Sequence, residues 1–286
     1  MIAESILFTI VLVALVIGTY TDLKTREVPD WLNYGMVFAG FGLRIIFSIV
    51  FHDADYMIHG ILGFGAFFAI ALLMFYTGQW GGGDAKMVMG LGALIGLELS
   101  INAFLIGFIV NIVLFGSLFG LLFSVYLAAI HFRSFSKEFS KRFKEKRKEK
   151  WFVWLGTIAL LVLSVFTPVY IKVPVVVLAG IILVSFYMFI YLKSVESSSM
   201  IKWVDPKDLT EGDWVVKDVV VAGKRVCGPK DLGLEMAQIK KLMLLKKQNK
   251  IKRVLIKYGI PFVPSFLIAF VVTYFWGNIV FMIMGL

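Results

Sequence analysis

The chain has little charge, one cysteine and three histidines among 286 residues. Charged residues make up 17% of it, against about 25% in an ordinary soluble domain. That shortage excludes a conventional water-soluble globule. The lone thiol, Cys227, excludes an intrachain disulfide and any Cys-x-x-Cys redox or metal site. His52, His59 and His131 are scattered, without metal-ligand spacing, and no metal is expected. Seven prolines leave long stretches free to be helical.

What is present is apolar residue, at 59% of the chain. It is gathered in blocks of roughly 18–30 residues, the length that crosses about 30 Å of hydrocarbon as a helix. The blocks run over about 2–20, 33–51, 57–77, 87–132, 151–171, 173–192 and 261–284. The fourth is too long for one span and short for two. A short helix to about Gly96, a turn at Glu98 and a long helix from Ser100 accommodate it. The first block begins at Ile2 without a basic leader or a small-x-small cleavage site, so it reads as a retained span. The predicted fold class is an all-α polytopic membrane protein of about eight transmembrane helices with a small α+β cytosolic domain.

The net charge of +10 does not call for nucleic acid, because its placement follows a membrane rule. With eight spans and the N-terminus outside, the loops 21–33, 78–86, 131–150 and 193–259 face the cytosol. They hold 27 of the 29 lysines and arginines. Lys172 and Arg44 are the exceptions; Arg44 lies within the second span, with Glu98 or Asp53 as its expected partner. Both termini then lie outside a plasma membrane. Merging 87–132 into one span would put both large basic segments outside.

The expected organisation is an N-terminal membrane domain (1–132), a basic cytosolic loop (133–150), a transmembrane hairpin (151–192), a cytosolic α+β domain (193–259) and a last helix (260–286). Within the cytosolic domain, the valine-rich stretch from Asp213 to Val221 suits a strand. Leu234–Gln248 suits an amphipathic helix, and Lys252–Tyr258 a second strand. The basic loop is first a topology signal and second a site for anionic membrane lipid.

Two carboxylates stand out in the apolar half. Asp22 ends the first block; Asp84 follows the glycine run Gly81-Gly82-Gly83. The topology puts both at the cytosolic face, at one depth, where they can pair. Two close carboxylates share a proton, so one can draw a proton from water while the other protonates a peptide carbonyl. Gly81 and Gly83 let backbones approach closely. Bland readings stand beside this one: Asp84 as a helix cap, Asp22 as a solvated acid, Asp30 as a cap, Lys86 as an inside anchor. A transporter path lined by these acids, a presenilin-like protease cutting within a span, and a non-catalytic assembly protein are the competing classes.

The run from Thr21 through Asp22, Glu27, Pro29 and Asp30 to Asn33, and Gly81-Gly82-Gly83-Asp84-Ala85-Lys86, together resemble the type IV prepilin peptidases. Gly259-Ile260-Pro261-Phe262 resembles the carboxyl-terminal part of their archaeal branch, which includes the preflagellin peptidases. The resemblance covers 1–132 and about 205–286. It implies an aspartyl endopeptidase of the Gly-x-Gly-Asp type, with no cofactor, that removes a short basic leader from prepilin-like or preflagellin precursors at the cytosolic face. Asp22 and Asp84 carry over as the catalytic pair, with Gly81 and Gly83 as motif glycines and Lys86 as motif support. Glu27 and Asp30 are candidates to attract the basic leader. The missing cysteine-rich loop implies cleavage without methylation of the new N-terminus, and the hairpin 151–192 departs from the family pattern. Oligomeric state and the role of that hairpin are left open.

Overall fold

The computed structural model describes residues 2–100 and 103–285. The helices are α1 (Ile2–Thr25), α2 (Asp30–Val50), α3 (Asp55–Tyr76), α4 (Gly82–Ile95), α5 (Phe104–Ile130), α6 (Phe132–Glu145), α7 (Arg147–Val165) and α8 (Val169–Val195). A small mixed unit follows, and the chain closes with α10 (Val263–Trp276) and α11 (Ile279–Met284). Among the described residues five helices are long and apolar enough to cross a membrane: α1, α2, α3, α5 and the continuous helical run Val169–Met200. The chain is a polytopic membrane protein. The expected start of the long fifth helix at Ser100 runs into residues 101 and 102, outside the described residues; α5 begins at Phe104.

The remaining apolar blocks form shorter helices. α4 has 14 residues, about 21 Å at 1.5 Å each, less than the hydrocarbon thickness. Its far end therefore needs partners from within the protein. α10 also has 14 residues and stops at Gly277, whose φ of 67° suits glycine. Asn111, fully buried on α5, bridges that break. Its amide donates to Thr273 Oγ1 (2.9 Å) and the Gly277 carbonyl (2.8 Å), and its oxygen accepts from Ile279 N (3.3 Å).

Small residues let α4 nest against α2 and α3. A Cβ on Gly63 would lie 2.4 Å from the Gly92 carbonyl oxygen, so the two backbones touch. Phe8, Phe104, Phe108 and Phe270 interlock α1, α5 and α10, with ring centroids 4.7–6.3 Å apart.

The stretch expected as a basic loop is helical. α6 places Phe135, Phe139 and Phe143 on one face; Phe135 meets Tyr191 of α8 edge to face at 5.6 Å and Phe143 stacks on Tyr187 at 6.2 Å. The lysines between them are good helix formers. α7 and α8 pack side by side, joined by Trp154 Nε1 donating to Tyr187 Oη (3.0 Å).

The mixed unit holds β1 (Ile201–Val204), β2 (Trp214–Val215), β3 (Val219–Val221), β4 (Lys224–Cys227), α9 (Met236–Lys247) and β5 (Val254–Lys257). β5 lies between β1 and β2, antiparallel to both, and β3 pairs with β4. The valine-rich stretch 213–221 is two strands in two sheets, not one. Lys217 and Asp218 interrupt it, and Asp218 holds Arg225 at 2.8 Å. Ile239 and Leu242 of α9 close the core over Val254 and Ile256.

Candidate active site

The buried residues of α1 are Ala3, Leu7, Val11, Ala14, Leu15, Gly18 and Asp22. They recur every three or four positions, so helical periodicity carries the core stripe straight to Asp22. Its side chain is turned inward, and the residue is 4% exposed. Oδ2 accepts the backbone N–H of Val263 at 3.0 Å. Val263 opens α10, so this is one of the N–H groups that helix cannot satisfy itself. Pro264 in the same first turn has no N–H to satisfy. The Phe262 ring fills the space beside Gly116 of α5, where a Cβ would lie 2.6 Å from Phe262 Cζ. It also packs on Trp80, at 6.0 Å between centroids. The Gly-Ile-Pro-Phe segment is thus the wall that receives Asp22.

Asp84 stands three residues past the N-cap of α4. Its Oδ2 accepts the backbone N–H of Gly81 at 3.1 Å, the carboxylate half of a capping box; Gly81 has no side chain to supply the other half. The helix-cap reading of Asp84 is therefore part of its geometry. Gly83 lies against the turn between α1 and α2: a Cβ there would come 3.4 Å from Val28. The C-terminal end of α1 and the N-terminal end of α4 meet on one side of the bundle, and the Asp22 carboxylate acts electrostatically on Asp84.

Around this pair, Lys86 Nζ binds Asp30 Oδ1 at 2.7 Å and lies over the Tyr34 ring at 5.5 Å. Asp30 begins α2 and Lys86 lies in the first turns of α4, so the ion pair ties the two helix starts together. Glu27 is exposed on the turn and acts on Asp213 of the mixed unit. Burial holds the Asp213 carboxyl above the usual carboxylate range. Trp214, next in the chain, packs its ring against Gly78, 3.2 Å from where a Cβ would stand. Arg26, at φ 59°, donates to the Gly259 carbonyl and lies 5.8 Å over the Phe123 ring. The mixed unit thus closes over the same end of the bundle.

Arg44 does not pair with Glu98 or Asp53 through a salt bridge. It is 4% exposed, and its guanidinium donates to Ala93 O (2.8 Å), Leu94 O (2.8 Å) and Tyr56 O (2.7 Å). The first two are the end carbonyls of α4, so the buried Arg44 caps the short helix. Space for it comes from Gly60 and Gly96, where a Cβ would lie 2.3 Å from its atoms. No group of metal-ligating side chains occurs among the described residues. Sequence reasoning missed the Val263 N–H and Trp80. The proline after Phe262-Val263 was the available signal for a helix start there.

The model of the type IV leader peptidase family matches residues 9–125. The chain is 41% identical to the preflagellin peptidase of Methanocaldococcus jannaschii over 88 residues, which is 31% of this chain and 37% of that protein. It is 37% identical to the preflagellin peptidase of Methanococcus maripaludis over 81 residues, 28% of this chain and 35% of the relative. The preflagellin peptidase of Methanococcus voltae is 38% identical over 90 residues, 32% and 38% respectively. The chain thus spans little more than a third of the length of the curated relatives it matches. No solved structure matches it significantly.

Proposed function

Because residues 9–125 match the model of the type IV leader peptidase family and resemble preflagellin peptidases, we propose that the chain is a membrane aspartyl endopeptidase. In this reading it removes a short basic leader from prepilin-like or preflagellin precursors at the cytosolic face. The observation that supports this reading is the convergence of the ends of α1 and α4 that bear Asp22 and Asp84, near enough for the charge of one to act on the other. The N- and C-termini lie outside; 27 of 29 cations falling on one side supports that orientation.

The chemistry needs no bound group. One carboxylate takes a proton from water, and the hydroxide oxygen bonds to the scissile carbonyl carbon. The other carboxyl gives its proton to the carbonyl oxygen. As the tetrahedral species collapses, the C–N bond breaks and the leaving amine takes up the proton that the first carboxyl had drawn from water. Gly81 keeps the approach to Asp84 free of a side chain, since a Cβ there would come 3.4 Å from the carboxylate, and Gly83 lets the start of α4 lie against Val28. With Cys227 the sole cysteine, the reaction ends at cleavage and the new N-terminus is not methylated.

Glu27 and Asp30 were paired candidates for the leader. Asp30 is neutralised by Lys86, so the attraction falls to Glu27. Glu27→Gln should raise KM for a precursor with a basic leader severalfold and leave kcat alone; an unchanged KM would remove Glu27 from the binding site. The proposal as a whole is tested by reconstituting the full chain with a tagged precursor and locating the cut by mass spectrometry. Cleavage at the junction of the basic leader and the apolar segment is expected. No cleavage, or cleavage inside the apolar segment, would refute it.

A further inference from the structure

Outside the proposed site, the largest block of unpaired charge lies on α6. Arg133, Lys137, Lys141 and Lys144 are all exposed. Their spacing of four, four and three puts them within one narrow face of the helix. No ion pair involves any of the four among the described residues; Glu138 is instead 3.9 Å from Arg142, off that face. Lys146 at the end of α6 pairs with Glu149, and exposed Arg147 and Lys148 extend the positive run. The opposite face of α6 carries Phe135, Phe139 and Phe143, two of which pack on the tyrosines of α8. The helix is therefore held down by its aromatic side with its cations turned away from the bundle.

The position of α6 says what those cations meet. α5 ends at Ile130, and α6 starts two residues later. Exposed aromatics bracket it, with Phe132 at 65%, Trp151 at 65% and Phe152 at 72%. Exposed Trp and Tyr flanking apolar spans mark headgroup depth, and here these are Trp151 after α6 and Tyr126, 57% exposed, near the end of α5. A helix at that depth with one aromatic and one cationic face has the form of an interfacial amphipathic helix. Nucleic acid would have to reach the cations at the membrane surface itself.

We propose that the α6 face formed by Arg133, Lys137, Lys141 and Lys144 binds anionic phospholipid headgroups of the cytosolic leaflet. The site is independent of the peptidase reading. Each cation near an anionic surface adds a favourable contribution that salt screens.

The test uses the delipidated full chain in neutral detergent. Phosphatidylglycerol or phosphatidylcholine is titrated in, and the unfolding midpoint and lipid retention by native mass spectrometry are read. Phosphatidylglycerol should raise the midpoint at low salt, and high salt should abolish that rise while leaving the phosphatidylcholine value unchanged. The combined variant Arg133→Gln, Lys137→Gln, Lys141→Gln, Lys144→Gln should bind phosphatidylglycerol at least tenfold more weakly. A control with the same charge change, Lys217→Gln, Lys230→Gln, Lys240→Gln, Lys250→Gln, should keep wild-type affinity. Equal effects of the two lipids would overturn the proposal. So would full retention by the α6 variant, loss of binding by the control, or an equal shift from inorganic phosphate. If the α6 variant does not fold, the wild-type salt dependence decides: a phosphatidylglycerol shift that survives high salt refutes the proposal.

Discussion

Arg44 is the residue whose chemistry differs most from its sequence impression. An arginine inside an apolar block suggests a carboxylate partner, because burying an isolated cation is costly. Here three backbone carbonyls stand in for the carboxylate. Two of them exist as free acceptors only because α4 is short and ends inside the bundle, which no local pattern around Arg44 announces. Arg44→Leu leaves buried carbonyls without donors, and on the order of 3 kcal/mol of stability should be lost. Arg44→Lys, able to reach fewer of them, should lose less. Chemical unfolding in detergent checks both, and equal stability of Arg44→Leu and wild type would rule out the capping role. Asp22 and Asp84 were more legible. Rare carboxylates in apolar sequence are conspicuous, and a side-assignment from lysine and arginine counts put them on one face. The Val263 N–H that Asp22 accepts was not legible, since it comes from 241 residues further along the chain.

At the scale of elements, most apolar helices sit near their expected bounds, because length and hydropathy are strong signals. The misreadings share a cause. The charge of 133–150 alone suggests a loop, whereas the phenylalanines at 135, 139 and 143 give α6 its packed helical face. The valine run 213–221 was read as one strand, whereas a two-residue polar interruption sends its halves to different sheets. β1 and β4 have too few residues to show a pattern. α4 depends on glycine contacts that only the packing reveals. Gly92→Val should drive its side chain into Gly63 and Phe67, where a Cβ already meets atoms at 2.4 and 2.8 Å. The expected cost is about 3 kcal/mol or failure to fold, read as the unfolding midpoint; a wild-type midpoint would contradict the close α3–α4 contact.

For the whole molecule, the mixed unit and the aspartate pair lie at the same end, linked through Arg26–Gly259 and Trp214 on Gly78, with Glu27 near enough for its charge to act on Asp213. In the proposed orientation that end faces the cytosol. Cys227 is fully buried, and burial pushes its thiol up to about 11, so it stays silent to maleimide in the folded protein. Single variants Glu27→Cys and Lys230→Cys should therefore label only from the cytosolic side of sealed vesicles, and Asp53→Cys only from the other. Labelling of Glu27→Cys and Asp53→Cys from the same side would break the topology.

The central claim is that Asp22 and Asp84 act as one unit in peptide hydrolysis. The most direct measurement is the single-turnover cleavage rate of a basic-leader precursor by wild type, Asp22→Asn, Asp84→Asn and the double variant, each verified as folded. Two groups of one machine give non-additive losses. Each single variant should fall by about 10³-fold or more, and the double variant should be no slower than the slower single. Near-wild-type cleavage by either single variant, or losses that multiply in the double, would contradict the account.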